Sequence, residues 1–476
     1  MVMGEFTQET GVLVVGGGPG GYAAAFRAAD LGLDVTMVDM EGRPGGVCLY
    51  RGCIPSKTLL YASELLHDAA RAGEMGITFG EPHIDLDKLR GWKDQVIERL
   101  ANGLVELSNR RGVQLLRGRA VFESSDRVRV SDSDISHIKF RHAIIATGSS
   151  IRPLPGADFG KGGRIMGSTG ALRLSDIPPR LLVVGGGYVG VELGSVYASL
   201  GSRVTLVESS DRLLAGADRD LVQVLAARLG TLFEAVHLET RVKDLREFED
   251  RVEATFDGSI ANPRQTFDRV LVAIGRIPNS RNIGLENTGV EIDERGFIKV
   301  DGRRRTSDER IFAVGDVAGG VMLAHKAMHE GKVAAEVIAG LHSAFDFQAI
   351  PAVVYTDPQI AWCGLTEDEA GSRNRPVKTS RFPWSASGRA LTMGVQKGLT
   401  KMILDPETER VLGVGIVGRE AGEMIAEGVL AVEMGAVAED LALSMLPHPT
   451  LSESEEEAAE AFLGSSTHIL PRKKER

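Results

Sequence analysis

Two stretches of this chain follow one plan. Residues 12–39 read VLVVGGGPGGYAAAFRAADLGLDVTMVD, and residues 181–208 read LLVVGGGYVGVELGSVYASLGSRVTLVE. Each opens on an apolar β run, passes through G-x-G-x-x-G into a small-residue helix, and reaches Leu-Gly. A second β run follows and ends on an acid. The acid stands 23 residues after the first glycine in both copies, Asp39 after Gly16 and Glu208 after Gly185. The pattern is a βαβ unit used twice.

The residue types fit a dinucleotide. The first glycine (Gly16, Gly185) permits a tight turn, and the second (Gly18, Gly187) lets backbone approach a pyrophosphate. The third (Gly21, Gly190) lets the helix pack on the strand. The helix N-terminus offers unpaired N–H groups and a positive dipole end to the phosphates. The acid takes ribose hydroxyls. One such motif is weak evidence, but two complete units with matched acids predict two bound adenine dinucleotides. Glu208, with no arginine directly after it, favours NAD in the second unit, because a 2′-phosphate would meet a carboxylate there.

HAIIATGSS (142–150) and RVLVAIGRIPN (269–279) each read as a buried strand ending in glycine that closes its own nucleotide domain. IFAVGDVAG (311–319) reads as a further strand ending in Asp316. From residue 350 to about 465 no dinucleotide motif occurs. There the strands TKMILD and RVLGVGIVG accompany the helices AGEMIAEGVLAVEMG and SESEEEAAEAFLG, an α+β module with a different task. At 476 residues the chain exceeds one core and suggests roughly three domains.

Net charge is −10, and the basic residues cluster only in the terminal PRKKER, which reads as a solvated tail. Without a concentrated basic face, a nucleic-acid partner is not expected. Nor is a membrane, since no apolar run nears the ~20 residues a crossing needs. The first residues lack the basic head and apolar stretch of a signal peptide, so a cytoplasmic location is expected.

A reducing compartment changes the reading of GGVCLYRGCIPSK (45–57), which holds two of the three cysteines, Cys48 and Cys53. Three cysteines are too few for a zinc site, and no metal is expected. As a staple, a ring of six residues would gain little loop-closure stability. As a redox pair it is well placed. Pro55 suits the first turn of a helix, which puts Cys53 at that helix's N-terminal end. There the dipole and Lys57 both favour thiolate. Cys363 has no partner and reads as a small core residue.

A thiol cycle needs a base. His448, in SMLPHPTLSESEEEAAEAF, sits between prolines that hold it out of regular structure. Glu453 follows as a helix begins, with Ser452 or Thr450 available as cap. A carboxylate that close can bind one imidazole nitrogen and leave the other to move a proton. The same spacing also fits a histidine buried in a loop. His325, in MLAHKAMHEG, reads as structural.

GGVCLYRGCIPSK resembles the active-site signature of the flavin-dependent pyridine nucleotide–disulfide oxidoreductases. HPTLSE (448–453) is similar to their C-terminal His–Glu dyad, and VGDVAGGVMLAHKAMHEG (314–331) to their second flavin segment. The resemblance runs in order from about residue 10 to 465. It implies an α/β fold of two Rossmann-like domains, for FAD and for NAD, with a C-terminal α+β dimerisation domain. The implied boundaries are 1–150 and 280–349 for the FAD-binding and central part, 151–279 for NAD, and 350–476 for the interface.

The resemblance also implies roles. FAD would be held by Gly16, Gly18, Gly21 and Asp39, with Ala120, Thr147 and Gly148 on the adenine side and Asp316 and Ala324 closing over the flavin. Lys57, partnered by Glu192, would sit by the flavin ring. NAD would be held by Gly185, Gly187, Gly190, Glu208 and Gly275. Cys48 would be the interchange thiol that meets substrate and Cys53 the flavin-side thiol. His448 and Glu453 would come from the other subunit of a homodimer. The branch it resembles most oxidises protein-bound dihydrolipoamide with NAD. Its partners would be lipoyl domains and the acyltransferase (E2) core of a 2-oxo acid dehydrogenase complex, or a lipoyl H-protein.

This sequence departs from the family pattern at Asp39, where glutamate is commoner, and at Tyr50 and Arg51, commonly smaller or neutral. Pro447 stands where alanine is frequent, and Tyr188 is similar to the gating tyrosine of glutathione reductases. A glutathione reductase-like enzyme is the alternative. It usually prefers NADPH and carries basic residues near the second acid, where this chain has Glu208-Ser209-Ser210. A non-catalytic flavoprotein would not need Cys48, Cys53, His448 and Glu453 together.

Overall fold

The computed structural model describes residues 7–157, 159 and 163–470, so the PRKKER tail lies outside the described residues. The apolar runs of the first unit become the strands Thr7–Val15 and Val35–Asp39, joined by the helix Pro19–Asp30. The strands pair in parallel, with Val15 opposite Val38. On its other side Thr7–Val15 pairs in parallel with His137–Ile145, so the first strand is covered on both edges. This sheet continues through Gln114–Arg117 at one end and through Arg127–Ser131 and Arg119–Ser124 at the other. Ile311–Ala313 adds a parallel strand against His137–Ile145. Central residues such as Leu13, Val14, Ile144 and Ile145 are fully buried, as expected for a strand covered on both faces.

The second unit repeats the plan. Arg180–Val184 lies between Arg203–Val207 and Arg269–Val272, all parallel, with Ala235–His237 and Ile165–Met166 outside them. The chain thus leaves the first sheet after residue 145, builds the second between 165 and 272, and returns at Ile311. A two-stranded antiparallel ribbon, Ser149–Ile151 with Arg276–Pro278, ties the exits of the two sheets together.

The C-terminal part holds more strand than its sequence signalled. TKMILD and RVLGVGIVG form Leu399–Leu404 and Val411–Gly418, within a five-stranded antiparallel sheet that also takes in Ala352–Val354, Gln359–Gly364 and Lys378–Pro383. The helices Ala421–Met434 and Glu453–Leu463 match the two helical readings, and Cys363 is buried in this core as expected. Three strand ends differ from expectation. HAIIATGSS and RVLVAIGRIPN leave their sheets at Ile145 and Val272, turn through Gly148 and Gly275 at φ +69° and +111°, and continue into the ribbon strands Ser149–Ile151 and Arg276–Pro278. IFAVGDVAG is extended only to Ala313, and Asp316 sits in the single turn Gly315–Ala318.

Candidate active site

The three glycines of each unit show three different surroundings. A Cβ on Gly16 would lie 2.4 Å from the Ala146 carbonyl oxygen, and one on Gly21 would lie 1.8 Å from that of Gly16. The same distances in the second unit are 2.5 Å for Gly185 against Ala273 and 2.0 Å for Gly190 against Gly185. Gly18 and Gly187 would meet nothing within 4 Å. First and third glycines are therefore demanded by the fold, and the second faces open cleft, where a pyrophosphate fits.

Both acids are pre-oriented by backbone. Asp39 accepts from the N–H of Gly17 at 2.7 Å on Oδ2 and from Glu41 at 2.8 Å on Oδ1. Glu208 accepts from Gly186 at 2.6 Å on Oε2 and from Ser210 at 2.7 Å on Oε1. Partial burial would raise the Glu208 carboxyl, but these N–H groups prevail and hold it below the usual range. Each Asp39 oxygen keeps a further lone pair for a ribose hydroxyl, and so does Glu208 Oε2, while Glu208 Oε1 also accepts from the Ser209 hydroxyl at 3.2 Å. The residues present therefore fit an adenine dinucleotide in each unit.

The cysteine segment lies across the first glycine turn. The N–H of Gly45 donates to the Gly17 carbonyl at 2.7 Å, and a Cβ on Gly46 would lie 2.5 Å from the Gly18 Cα. Gly46, in the left-handed region at φ +57°, allows that approach. Cys48 then rides on the short helix Gly46–Arg51, and Cys53 is the first residue of the helix Cys53–Arg71. Both are free thiols and half-buried. The neighbouring Cys48 thiol, reinforced by the Lys57 charge against the cost of burial, holds the Cys53 thiol below its ordinary range. The same coupling and burial push Cys48 up.

One helical turn on, Lys57 Nζ reaches both oxygens of Glu192 at 3.0 and 2.9 Å. Glu192 is 3% exposed, and it also accepts from the Tyr355 N–H at 2.9 Å. The Tyr355 ring lies 4.5 Å from Lys57 Nζ, a cation–π contact. One cleft gathers Gly16, Gly18, Asp39, Cys48, Cys53, Lys57, Thr147, Gly148, Glu192, Asp316 and Ala324 on its walls. A second gathers Gly185, Gly187, Glu208 and Gly275. Gly21 and Gly190 stand behind the walls, where helix meets strand. Ala120 lies on the strand Arg119–Ser124, with its methyl group in the core of the first sheet. Tyr188 lines both clefts, and burial pushes its phenol up to about 12.

His448 and Glu453 do meet. Nδ1 lies 2.7 Å from Glu453 Oε1, and Glu453 Oε2 accepts from the Thr450 N–H at 2.6 Å. The histidine side chain is 73% exposed and is on the wall of neither cleft. The expected side-chain cap is absent: Ser452 holds the N-cap position, but its hydroxyl donates to Glu427 at 2.6 Å. The Thr450 hydroxyl is buried without a partner. Glu453 itself bonds back to the upstream backbone and fixes the helix start.

Residues 10–331 match the model of the pyridine nucleotide-disulphide oxidoreductases, and residues 350–459 match that family's dimerisation domain. The chain belongs to this family. It is 45% identical over 465 residues to the dihydrolipoyl dehydrogenase of Vibrio parahaemolyticus, covering 97% of each chain. It is 44% identical to that of Geobacillus stearothermophilus, covering 99% of this chain and 100% of the other. Among solved structures, LpdA from Mycobacterium tuberculosis superposes with a TM-score of 0.87 at 28% identity, over 95% of this chain and 99% of that one. The HOCl-induced flavoprotein disulfide reductase RclA from Escherichia coli gives 0.84 at 26%, over 94% and 99%.

As a member of this oxidoreductase family the chain uses FAD and NAD, and its dimerisation domain makes it a homodimer. Three groups at or beside the first cleft, Arg276, Ser149 and Tyr355, had no sequence signal. Arg276 donates to the Ser149 hydroxyl and carbonyl, both at 2.6 Å, and that hydroxyl in turn bonds Asp316. Tyr355 reaches Glu192 from 163 residues away. Such contacts are made by the packing of domains, which no local pattern encodes.

Proposed function

We propose that this chain oxidises protein-bound dihydrolipoamide to lipoamide and reduces NAD to NADH. Identity of 42–45% along nearly the whole chain to proteins named dihydrolipoyl dehydrogenase carries the choice of substrate. In the oxidised protein Cys48 and Cys53 share a disulfide. His448 of a second copy accepts the proton of one substrate thiol on Nε2, while Glu453 holds Nδ1. The substrate thiolate attacks the Cys48 sulfur, the Cys48–Cys53 bond breaks, and Cys53 departs as thiolate. Its lowered pKa makes it the better leaving group.

The second substrate thiol then attacks the mixed disulfide, and its proton passes to the departing Cys48 sulfur. Lipoamide leaves, one proton remains on His448, and Cys53 stays as the thiolate beside Lys57. Bound FAD and NAD supply the two-electron relay from this dithiol to NADH. Gly16, Gly18, Asp39, Thr147, Gly148, Asp316 and Ala324 hold FAD, with Lys57 and Glu192 at its redox end. Gly185, Gly187, Glu208 and Gly275 hold NAD. Gly21 and Gly190 serve by letting each helix close on its strand, and Ala120 through its backbone.

Residues 1–150 with 280–349 form the FAD-binding and central part, 151–279 the NAD domain and 350–476 the interface. The chain works in the cytoplasm with lipoyl domains and the acyltransferase core of a 2-oxo acid dehydrogenase complex, or with a lipoyl H-protein. Among the described residues no helix is long and apolar enough to cross a membrane. Cys48→Ser tests the reaction. The variant should keep its flavin yet form no NADH from dihydrolipoamide, and undiminished turnover would reject the proposed role.

A further inference from the structure

Arg51, one of the residues that departs from the family pattern, has a place in the first cleft. It ends the short helix Gly46–Arg51, three residues after Cys48, and stands on the cleft wall with Asp39, Met40 and Glu41. Its guanidinium is ion-paired with the Glu41 carboxylate. The Glu41 N–H is in turn bound to Asp39 Oδ1 at 2.8 Å, the carboxylate that awaits the ribose. The contacts Asp39, Glu41, Arg51 therefore set a permanent cation at the adenosine end of the cleft. They also join two segments that flank it, the loop after the strand Val35–Asp39 and the helix carrying Cys48.

The pair does little for the empty fold. Arg51 and Glu41 are 38% and 45% exposed, and pairs so exposed add little to stability. A guanidinium carries five N–H donors and a planar face, and one carboxylate engages at most two of those donors. What remains suits a purine face or a phosphate oxygen. We infer that Arg51, held by Glu41, is an arm that binds the adenosine half of FAD, with Glu41 as its positioning residue. The inference rests on the reading of this cleft as the FAD site.

Such an arm acts on retention of the dinucleotide and leaves the redox end untouched. The test follows FAD release from diluted holoenzyme by the rise in flavin fluorescence, beside the visible flavin spectrum. Arg51→Met should release FAD about tenfold faster, the scale of one lost charge-assisted contact. Glu41→Gln should show a smaller increase, because the guanidinium is left in place but loosely held. Arg51→Lys should recover part of the loss, since charge returns without the planar fork. The flavin spectrum should be the same in all of them. Wild-type release rates in Arg51→Met, or a spectrum that shifts in step with release, would overturn the arm. A wild-type protein that takes up no FAD would overturn the reading of the cleft beneath it.

Discussion

The Cys53 thiol owes its depressed pKa first to the Cys48 S–H and then to Lys57. The lysine and the helix start were legible in GGVCLYRGCIPSK, but the coupling between the thiols was not, because it depends on how the short helix seats Cys48. In the dithiol protein, ultraviolet thiolate absorbance should rise in two separated steps with pH. The first belongs to Cys53, below the ordinary cysteine range near ~8.5, and the second to Cys48 above it. Cys48→Ala should move the remaining step upward, because alanine offers no donor to the Cys53 thiolate. A single step at the ordinary cysteine range would contradict the asymmetry.

Glu455, two residues past Glu453, is 1% exposed, and neither carboxyl oxygen has a hydrogen-bond partner. Burial, with Glu427 nearby, pushes its carboxyl well above the usual range. A raised folded pKa gives stability that is complete below the unfolded pKa and is lost as pH rises toward the folded one. Glu455→Met should therefore stabilise the protein, by about 1–3 kcal/mol for removing an unsatisfied buried group. Its gain in melting temperature over wild type should widen between pH 5 and pH 8, about the window in which unfolded glutamate is ionised and the buried group is not. A gain that narrows with pH would reverse the assignment.

Among the elements, the βαβ units were the most legible, because a buried parallel strand and a glycine turn both write themselves locally. The join between the second sheet and the C-terminal sheet was not. It centres on Lys401, fully buried on the strand Leu399–Leu404, with Nζ 2.6 Å from Asp218, 2.8 Å from Asp220 and 2.7 Å from Glu367. Arg381 adds bonds of 2.7 Å to Asp220 and Glu367. In sequence each of these is an isolated charge; only the packing of two domains brings them together. Lys401→Met leaves three carboxylates around an apolar side chain. It should cost about 3 kcal/mol, the lower end for breaking a buried pair, since Asp220 and Glu367 stay 26% and 34% exposed. Chemical denaturation measures it, and a loss under about 1 kcal/mol would show that the network is no clamp.

A neighbouring polar chain reads differently. His67 lies 2.9 Å from the Ser199 hydroxyl and 3.1 Å from Asp357, the order of a hydrolytic triad. The Ser199 hydroxyl, however, donates to the Ser195 carbonyl at 2.8 Å. Its proton is committed to its own helix, so the three side chains serve to fasten the cysteine-bearing helix to its neighbours.

At the scale of the whole molecule, the dyad is exposed and lines neither of its own clefts. His448 and Glu453 were legible as a pair, but their place outside both clefts needed the structure, and it fits a site completed by a second copy. His448→Gln should lower turnover about 100-fold, as loss of a general base does. Mixing Cys48→Ser with His448→Gln chains should restore activity, because each mixed dimer holds one site with both cysteines and a histidine. Mixtures no more active than the parents would place the dyad and the disulfide in one chain.

The reaction itself is tested by mixing the purified wild-type protein anaerobically with dihydrolipoamide and either NAD or NADP, and following absorbance of the reduced nucleotide. Rapid NADH formation, with NADP far slower because Glu208 meets its 2′-phosphate, is the expected result. Absence of NADH, together with reduction of glutathione disulfide by NADPH, would contradict both the substrate and the part assigned to Glu208.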